Sequence, residues 1–417
     1  MDKKEVQIKN EATWEFIRQH QDDDIRELAL RGTKDPEVDL AFALQQIDGH
    51  RRALEKLPSW AAVEGIVWPP HVSMEQCSSE RTARYKAQVA GKGQLFVDLT
   101  AGFGVDTAFI AQGFQQAVCV ELQPELCAIS SANFQLLGLP QIEVVNGNGV
   151  EYLHAMSPVD LIFIDPARRD EHGGRTYGIA DCTPNVLEII DELLEKAQRV
   201  MIKLSPMLDW RKAVEDIGKE HVSAVHIVSV ANECKELLVE VMSSRKDEGG
   251  MRKEICNEAK RIKVVCVNLL SDGSEERFEF DAQAPLPIKI LHSSLFTLHF
   301  LYEPNASVMK AGCFELLAER FGVQPLHQNS HLFVSDKEVT DFPGRGFVIE
   351  RTTSMNKREL KESLVGVTQA NIAVRNFPLS VAELRKRLKL QDGGDTYIFA
   401  TTVENMGHRL LICRKIS

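Results

Sequence analysis

Residues 91–242 predict an α/β fold, a parallel sheet covered by helices on both faces. Short apolar runs alternate there with helical patterns. The runs are Leu95–Leu99, Ala117–Glu121, Ile142–Val145, Val159–Ile164, Val200–Leu204 and Ala224–Val230. Helical segments Pro124–Leu137, Pro184–Ala197 and Trp210–Lys219 lie between them, and strand–helix alternation builds a parallel sheet. A seventh run, Glu236–Met242, follows Val230 after only five residues. That gap is too short for a crossover helix, so the last two runs should form an antiparallel hairpin. The prediction is a seven-stranded sheet, six strands parallel and one antiparallel.

The flanks read differently. Residues 1–90 are helical, with apolar residues at three- and four-residue spacing over Glu11–Leu30, Val38–Leu57 and Arg81–Val89. Pro69-Pro70 separates the third helix from the first two. Ser243–Met251 is charged and contains glycine, as a linker does. Beyond it, Ile262–Leu270 and Arg277–Phe280 flank Ser-Asp-Gly-Ser, a hairpin signal. Strands are expected around Leu295–Tyr302, His331–Val334, Gly346–Arg351, Asn371–Arg375, Thr396–Thr401 and Arg409–Arg414. Helices are expected at Ala311–Phe321, Lys357–Leu364 and Val381–Leu388. The expected domains are therefore 1–90, helical; 91–245, α/β; 246–342 and 343–417, both small and α+β. A chain of 417 residues has room for roughly three domains of ordinary size.

The composition, 44% hydrophobic and 26% charged, excludes a mainly disordered or fibrous chain. No apolar run approaches the ~18 residues of a membrane helix, and Met1–Asn10 alternates charge without an apolar core. The nine cysteines are widely spaced with no Cys-x-x-Cys pair, which argues against a zinc knuckle or a disulfide framework. A cytoplasmic protein without a metal or a membrane partner is expected. The net charge is −11, yet residues 343–417 hold 13 Lys and Arg against 7 Asp and Glu. A basic end on an acidic body suits an anion-binding arm, and equally a helix with a solvated basic face.

Four motifs punctuate the α/β region. Val97-Asp98-Leu99-Thr100-Ala101-Gly102-Phe103-Gly104 leaves the first strand and enters a helix. Glycines there let a backbone approach a ligand lying across the strand ends. A third glycine of the dinucleotide fingerprint would fall at Thr107, so that fingerprint fails. Glu121 closes the second strand, where a carboxylate can accept both hydroxyls of a ribose. Asn146-Gly147-Asn148-Gly149 follows the third. Ile164-Asp165-Pro166-Ala167-Arg168-Arg169 follows the fourth. Proline stiffens that turn, and the aspartate can accept hydrogen bonds from an incoming amine. Arg168, Arg169 and Arg175 surround Gly173-Gly174, a loop suited to phosphate contacts. A plain structural turn, an exposed acid at a strand end and a solvated loop are the corresponding structural alternatives.

In this order the motifs resemble a class I S-adenosylmethionine-dependent methyltransferase with a seven-stranded Rossmann-like sheet. The closing antiparallel hairpin is similar to the signature of that family. The Asp165-Pro166 loop resembles the [DN]-P-P-[YFW] loop of amino-methylating RNA and DNA enzymes, although Ala167 and Arg168 depart from it. No cysteine follows Asp165-Pro166, which disfavours a covalent C5 mechanism. Ser73–Arg81 resembles the stretch that packs over the methionine end of the cofactor in guanine-N2 enzymes; helix capping is the plain alternative. The resemblance assigns cofactor contacts to Ser79, Asp98, Thr100, Gly102, Gly104, Asp106, Thr107, Glu121 and Asn148. It assigns catalysis to Asp165 and Pro166. The arrangement of residues 343–417 resembles the THUMP-like modules of RNA-modifying enzymes, with a ferredoxin-like bridge before it. Substrate contacts are expected from Arg168, Arg169 and Arg175, and from Arg385, Lys386 and Arg387 on the basic helix.

The expected function is S-adenosylmethionine-dependent methylation of an exocyclic amine of a base in rRNA or tRNA. The rivals are methylation of a protein or a small molecule, and a non-catalytic RNA-binding protein that keeps the fold.

Overall fold

Valine, isoleucine and phenylalanine crowd the runs after residue 91 because strands covered on both faces have no solvent side for polar residues. The computed structural model describes residues 10–168, 178–243, 261–282 and 299–416. The chain divides into two units, one of residues 1–225 with 236–262, the other of residues 226–235 with 263–417.

The large sheet contains β1 Gly93–Asp98, β2 Phe114–Glu121, β3 Ile142–Asn146, β4 Val159–Ile164, β5 Ala197–Leu204, β6 Val222–Val230 and β7 Glu233–Met242. Their order is β3-β2-β1-β4-β5-β7-β6. β1 pairs in parallel with β2 and β4, β2 with β3, and β4 with β5. β7 runs antiparallel to β5, as the short gap after β6 requires. Ala231 and Asn232 turn the hairpin at φ 48° and 66°, the mirror-image geometry that matches strand twist. The chain reverses direction across the sheet between β1 and β4, and such a switch point opens a crevice at the carboxyl ends of the strands.

Phe96, Leu161, Phe163, Met201 and Leu238 pack with Ala90, Ile110 and Phe114 in one buried cluster. A second cluster joins Phe103, Val105, Phe109, Ile129 and Phe134 to Leu57, Trp60, Ile66, Trp68 and Met74. The N-terminal helices thus share a core with the turn after β1.

Those helices are more broken than their periodicity suggests. Glu11–Leu30 is two helices, Glu11–Gln19 and Ile25–Arg31. Asp24 accepts from the amides of Arg26 and Glu27 and so starts the second, because a capping carboxylate satisfies donors that an uninterrupted helix would bond internally. Short helices at Pro58–Ala61 and His71–Gln76 lack the length for a periodic signal. The helix Glu80–Ala90 matches the expected one.

In the second unit β8 Lys263–Leu269 and β9 Glu275–Asp281 form the expected hairpin. β10 Phe300–Pro304, β11 Gln324–Pro325, β12 Phe333–Ser335, β13 Gly344–Thr353, β14 Asn371–Arg375, β15 Thr396–Val403 and β16 Gly407–Lys415 form another sheet, ordered β11-β12-β10-β13-β16-β15-β14. The expected helix Ala311–Phe321 is two, Ala306–Ala311 and Phe314–Phe321. Gly312, at φ 63°, ends the first in the left-handed conformation that glycine adopts without strain. All but Ser243 of the expected linker Ser243–Met251, and the first four residues of the expected strand Leu295–Tyr302, lie outside the described residues.

One glycine fixes how the helix Gly149–Ala155 meets the turn after β1. A Cβ on Gly149 would stand 2.0 Å from the carbonyl oxygen of Leu99, a backbone atom that cannot step aside. Gly149→Ala should destabilise the protein by about 1–3 kcal/mol, the usual scale for overpacking, seen as a lower midpoint of urea unfolding.

Candidate functional site

The turn after β1 is held from within by Asp98. Its Oδ1 accepts the Thr100 amide at 3.0 Å and its Oδ2 the Thr107 hydroxyl at 2.6 Å. Burial pushes the Asp98 carboxyl up to about 7, against the pull of those two donors. Gly102 and Gly104 take φ 56° and 78°, which only glycine tolerates readily. A Cβ on Gly104 would also stand 2.7 Å from the Phe134 ring.

Neighbouring strand ends fasten onto this turn. Glu121, at the end of β2, accepts the Gly102 amide through Oε2 and the Gln123 amide through Oε1, both at 2.8 Å. Thr100 Oγ1 accepts the Asp165 amide at 2.7 Å and ties the loop after β4 to the turn after β1. Asp98, Thr100, Thr107 and Asp165 therefore form one hydrogen-bonded set, and Gly102 with Glu121 a second, at the carboxyl edge of the sheet.

A charged cluster adjoins it. Lys86 has no exposed surface. Its ammonium donates to both oxygens of Glu236, at 2.8 and 2.7 Å, and to Ser78 Oγ at 3.1 Å. It lies 3.2 Å from Asp106 Oδ1, while Ser78 Oγ donates to Asp106 Oδ2 at 2.7 Å. Lys203, at the end of β5, donates to Asp165 Oδ2 at 2.6 Å and lies 3.7 Å from Asp106 Oδ2. Burial opposes the charge of Asp106, but Lys86 and Lys203 outweigh it and hold the carboxyl below its ordinary value. Burial opposes the charge of Lys203 too, and Asp165, Asp106 and Glu236 together hold its ammonium above the usual lysine range. The sequence assigns no site role to Ser78, Lys86, Lys203 or Glu236 individually, although Ser78 lies within Ser73–Arg81 and the ends of the strands bearing Lys203 and Glu236 face the same edge. A lysine inside Val-Met-Ile-Lys-Leu and a glutamate opening an apolar strand are the signals that mark two of them.

Other expected residues have structural partners. Ser79 caps the helix Glu80–Ala90, its Oγ accepting the Thr82 amide at 3.3 Å, and its neighbour Ser78 is the serine in the charged cluster. Asn148 Oδ1, expected among the cofactor contacts, accepts the amides of Val150 at 2.8 Å and Glu151 at 3.5 Å. Pro166 follows Asp165 and is buried. Ala167 and Arg168 pair through their backbones with Thr183 and Cys182; Arg169 and Arg175 lie outside the described residues. In the second unit, Arg385 donates to Asp392 at 2.6 Å and to the Ala370 carbonyl at 3.2 Å, whereas Lys386 and Arg387 are exposed. Among the described residues no cluster of His, Cys, Asp and Glu could hold a metal ion, and no helix is long and apolar enough to cross a membrane.

The raised carboxyl of Asp98 has a consequence for stability. Between pH ~4 and ~7 the folded protein holds a proton there that the unfolded chain has released, so this residue's contribution falls as pH rises through that window. Asp98→Asn removes the penalty. Its melting temperature relative to wild type should climb between pH 4.5 and pH 8, as scanning calorimetry at matched ionic strength would show.

Comparison with known proteins fits this geometry. The model of a ferredoxin-like domain matches residues 300–343, and that of a THUMP-like domain residues 344–415. The model of protein-L-isoaspartate(D-aspartate) O-methyltransferase matches residues 85–170. No curated protein matches the sequence. Among solved structures, a protein of Porphyromonas gingivalis W83 named as a candidate methyltransferase is 32% identical. It superposes with a TM-score of 0.84 over 100% of both chains. An rRNA methylase of Streptococcus thermophilus is 18% identical, with a TM-score of 0.30 over 39% of this chain and 96% of its own. A candidate RNA methyltransferase of Pyrococcus horikoshii is 16% identical, with a TM-score of 0.35 over 47% and 98%. Through the relative that matches it from end to end, the protein belongs to a family of class I methyltransferases that carry ferredoxin-like and THUMP-like domains at the carboxyl end.

Proposed function

We propose that the protein is an RNA methyltransferase of the cytoplasm that moves the methyl group of S-adenosylmethionine to an exocyclic amine of a base in rRNA or tRNA. The observation that carries this reading is the bond from the Asp165 amide to Thr100. It seats the Asp-Pro loop beside the glycine turn, where an acceptor group and a cofactor would meet.

The cofactor fits the residues present. The Gly102–Gly104 turn offers a close backbone approach, and the Glu121 carboxylate keeps lone pairs beyond its two amide bonds for ribose hydroxyls. S-adenosylmethionine supplies a methyl group already activated as a sulfonium, so the protein's task is to position the nucleophile and exclude water. Asp165 would accept a hydrogen bond from the substrate amine and aim its lone pair at the methyl carbon. Accepting that methyl would leave the amine with an extra proton, which Asp165 would take up or pass to water. Lys203, bound to Asp165 Oδ2, fixes the carboxylate and leaves Oδ1 for the amine.

RNA is favoured as the substrate by the THUMP-like match and by the excess of cations over residues 343–417. A protein substrate is the second reading, favoured by the isoaspartate methyltransferase match; that match spans residues 85–170 alone, the cofactor half of the sheet.

Mass spectrometry of nucleosides in total RNA, from a strain lacking the gene and from its parent, tests the proposal. One methylated nucleoside should disappear and return with the wild-type gene. Asp165→Asn should restore little of it, with a turnover loss of roughly 10²–10⁴, the scale of a positioned acid–base group. An unchanged nucleoside profile beside a lost protein methylation would favour the second reading.

The basic helix gives a separate expectation. Reversing Lys386 and Arg387 to glutamate should weaken RNA binding and reduce the slope of log K against log salt by about 2. A filter-binding titration at several salt concentrations reads this directly, and Arg385 is left unchanged because it already serves Asp392.

A further inference from the structure

Phe103 stands between the two glycines of the turn and is 3% exposed. Its ring is covered by side chains from the N-terminal segment: the centroid of Trp60 lies 5.2 Å away, edge-on, and that of Trp68 lies 6.3 Å away. The carbonyl of Phe103 accepts the Ser130 hydroxyl at 3.2 Å.

The chain bearing Trp68 is fastened from two sides. Gln46 donates to the Trp68 carbonyl at 3.0 Å and accepts the Trp68 amide at 2.7 Å. Asn133, from the helix Pro124–Leu136, does the same for Val67, with both bonds at 2.9 Å. Gln46 and Asn133 are both buried. A buried amide matched bond for bond to the backbone N–H and C=O of one residue is costly to unpair, which makes each clasp specific to its position. Gly49 allows the approach: a Cβ there would stand 2.3 Å from Cβ of Trp68. Trp68 also borders a cavity of about 680 Å³ shared with Trp14, Ile17 and His50. Gln45 donates to the same carbonyl at 2.9 Å, and the His50 ring lies edge-on 6.2 Å from that of Trp68, so the paired amides act together with their neighbours to hold it.

We infer that the N-terminal helices are a working part of the cofactor site: Trp60 and Trp68, the latter fixed by Gln46, hold Phe103 and so preset the Gly102–Gly104 backbone for S-adenosylmethionine. Gln46, Trp60 and Trp68 are positioning residues, and the inference rests on the cofactor reading above. Without them the turn would sample other conformations, and binding would carry the entropic cost of ordering it.

The test uses the full chain and S-adenosylhomocysteine as the probe, titrated by calorimetry. Trp68→Leu and Gln46→Leu are compared with Leu28→Ala. Leu28 is buried with Ile17, Ala43 and Ile47 in the same helical segment, in a different buried cluster from Phe103, Trp60 and Trp68. The first two variants should bind at least tenfold more weakly, and Leu28→Ala should stay within threefold of wild type despite its lower melting temperature. Hydrogen exchange well below melting should quicken at the amides of Gly102–Val105 in the first two variants, with β1 still protected. If Trp68→Leu fails to fold, Gln46→Leu decides. Unchanged affinity in the clasp variants, or equal weakening in Leu28→Ala, would overturn the inference. Wild-type protein that does not bind the probe would overturn the cofactor reading itself.

Discussion

A lysine with no exposed surface keeps its charge only where carboxylates surround it, and much of this sheet edge is arranged to meet that demand. Lys86 comes from the helix before β1, Asp106 from the helix after it, and Glu236 from the closing hairpin. Three elements distant in sequence converge on one ammonium. Breaking such a group by removing one partner leaves an uncompensated buried charge, usually at a cost of about 3–5 kcal/mol. The cluster thus fixes the helix Glu80–Ala90 and β7 relative to the glycine turn. It also supplies Asp106 to Lys203, whose other partner is Asp165. The groups proposed to act on the substrate are the last links of a chain of ion pairs that begins in the core.

The parts of the fold legible in the sequence were those with a local signal. β1 to β7 announced themselves as apolar runs, and the five residues between Val230 and Glu236 dictated the antiparallel closure. Gly102, Gly104, Glu121 and Asp165 fell at strand ends and came together at one edge of the sheet. What stayed hidden depends on the third dimension. Nothing in Ser78-Ser79 tells which serine caps the helix and which reaches Asp106. Gln46 and Asn133 read as ordinary helical amides until Trp68 and Val67 are seen to complete them. The break in Glu11–Leu30 was written in Asp24, but a cap inside a continuing amphipathic pattern competes with the periodicity and is easily outweighed. Gly312 split its helix in the same way.

The second unit shows a similar economy of charge. Glu303, 2% exposed, is bound by Arg345 and Arg375, two strands of the same sheet contributing one cation each. Arg385 is likewise committed, to Asp392 and Ala370. Three of the cations that make residues 343–417 basic are therefore satisfied internally. The capacity to meet an external anion rests on fewer groups than the net charge implies, and among the basic helix residues it rests on Lys386 and Arg387.

The Asp165 loop departs from the pattern of amino-methylating enzymes at Ala167 and, where the aromatic would stand, at Arg168, and the backbone gives a reason. Ala167 and Arg168 form a short ladder with Thr183 and Cys182, so the segment is tied into secondary structure directly after the proline. In the proposed reaction no ring at 168 clamps a base. Orientation of the acceptor then falls on groups that survive the substitution. Asp165 offers an acceptor, and the ammonium of Lys203, only 14% exposed, offers a donor beside it. An exocyclic amine on a nucleobase lies next to a ring nitrogen or carbonyl that accepts a hydrogen bond. A carboxylate and an ammonium 2.6 Å apart present the complementary pair, acceptor to amine and donor to its neighbour. In the proposed reaction, recognition by an ion pair in place of a stacked ring would make the geometry of Lys203 as consequential as that of Asp165.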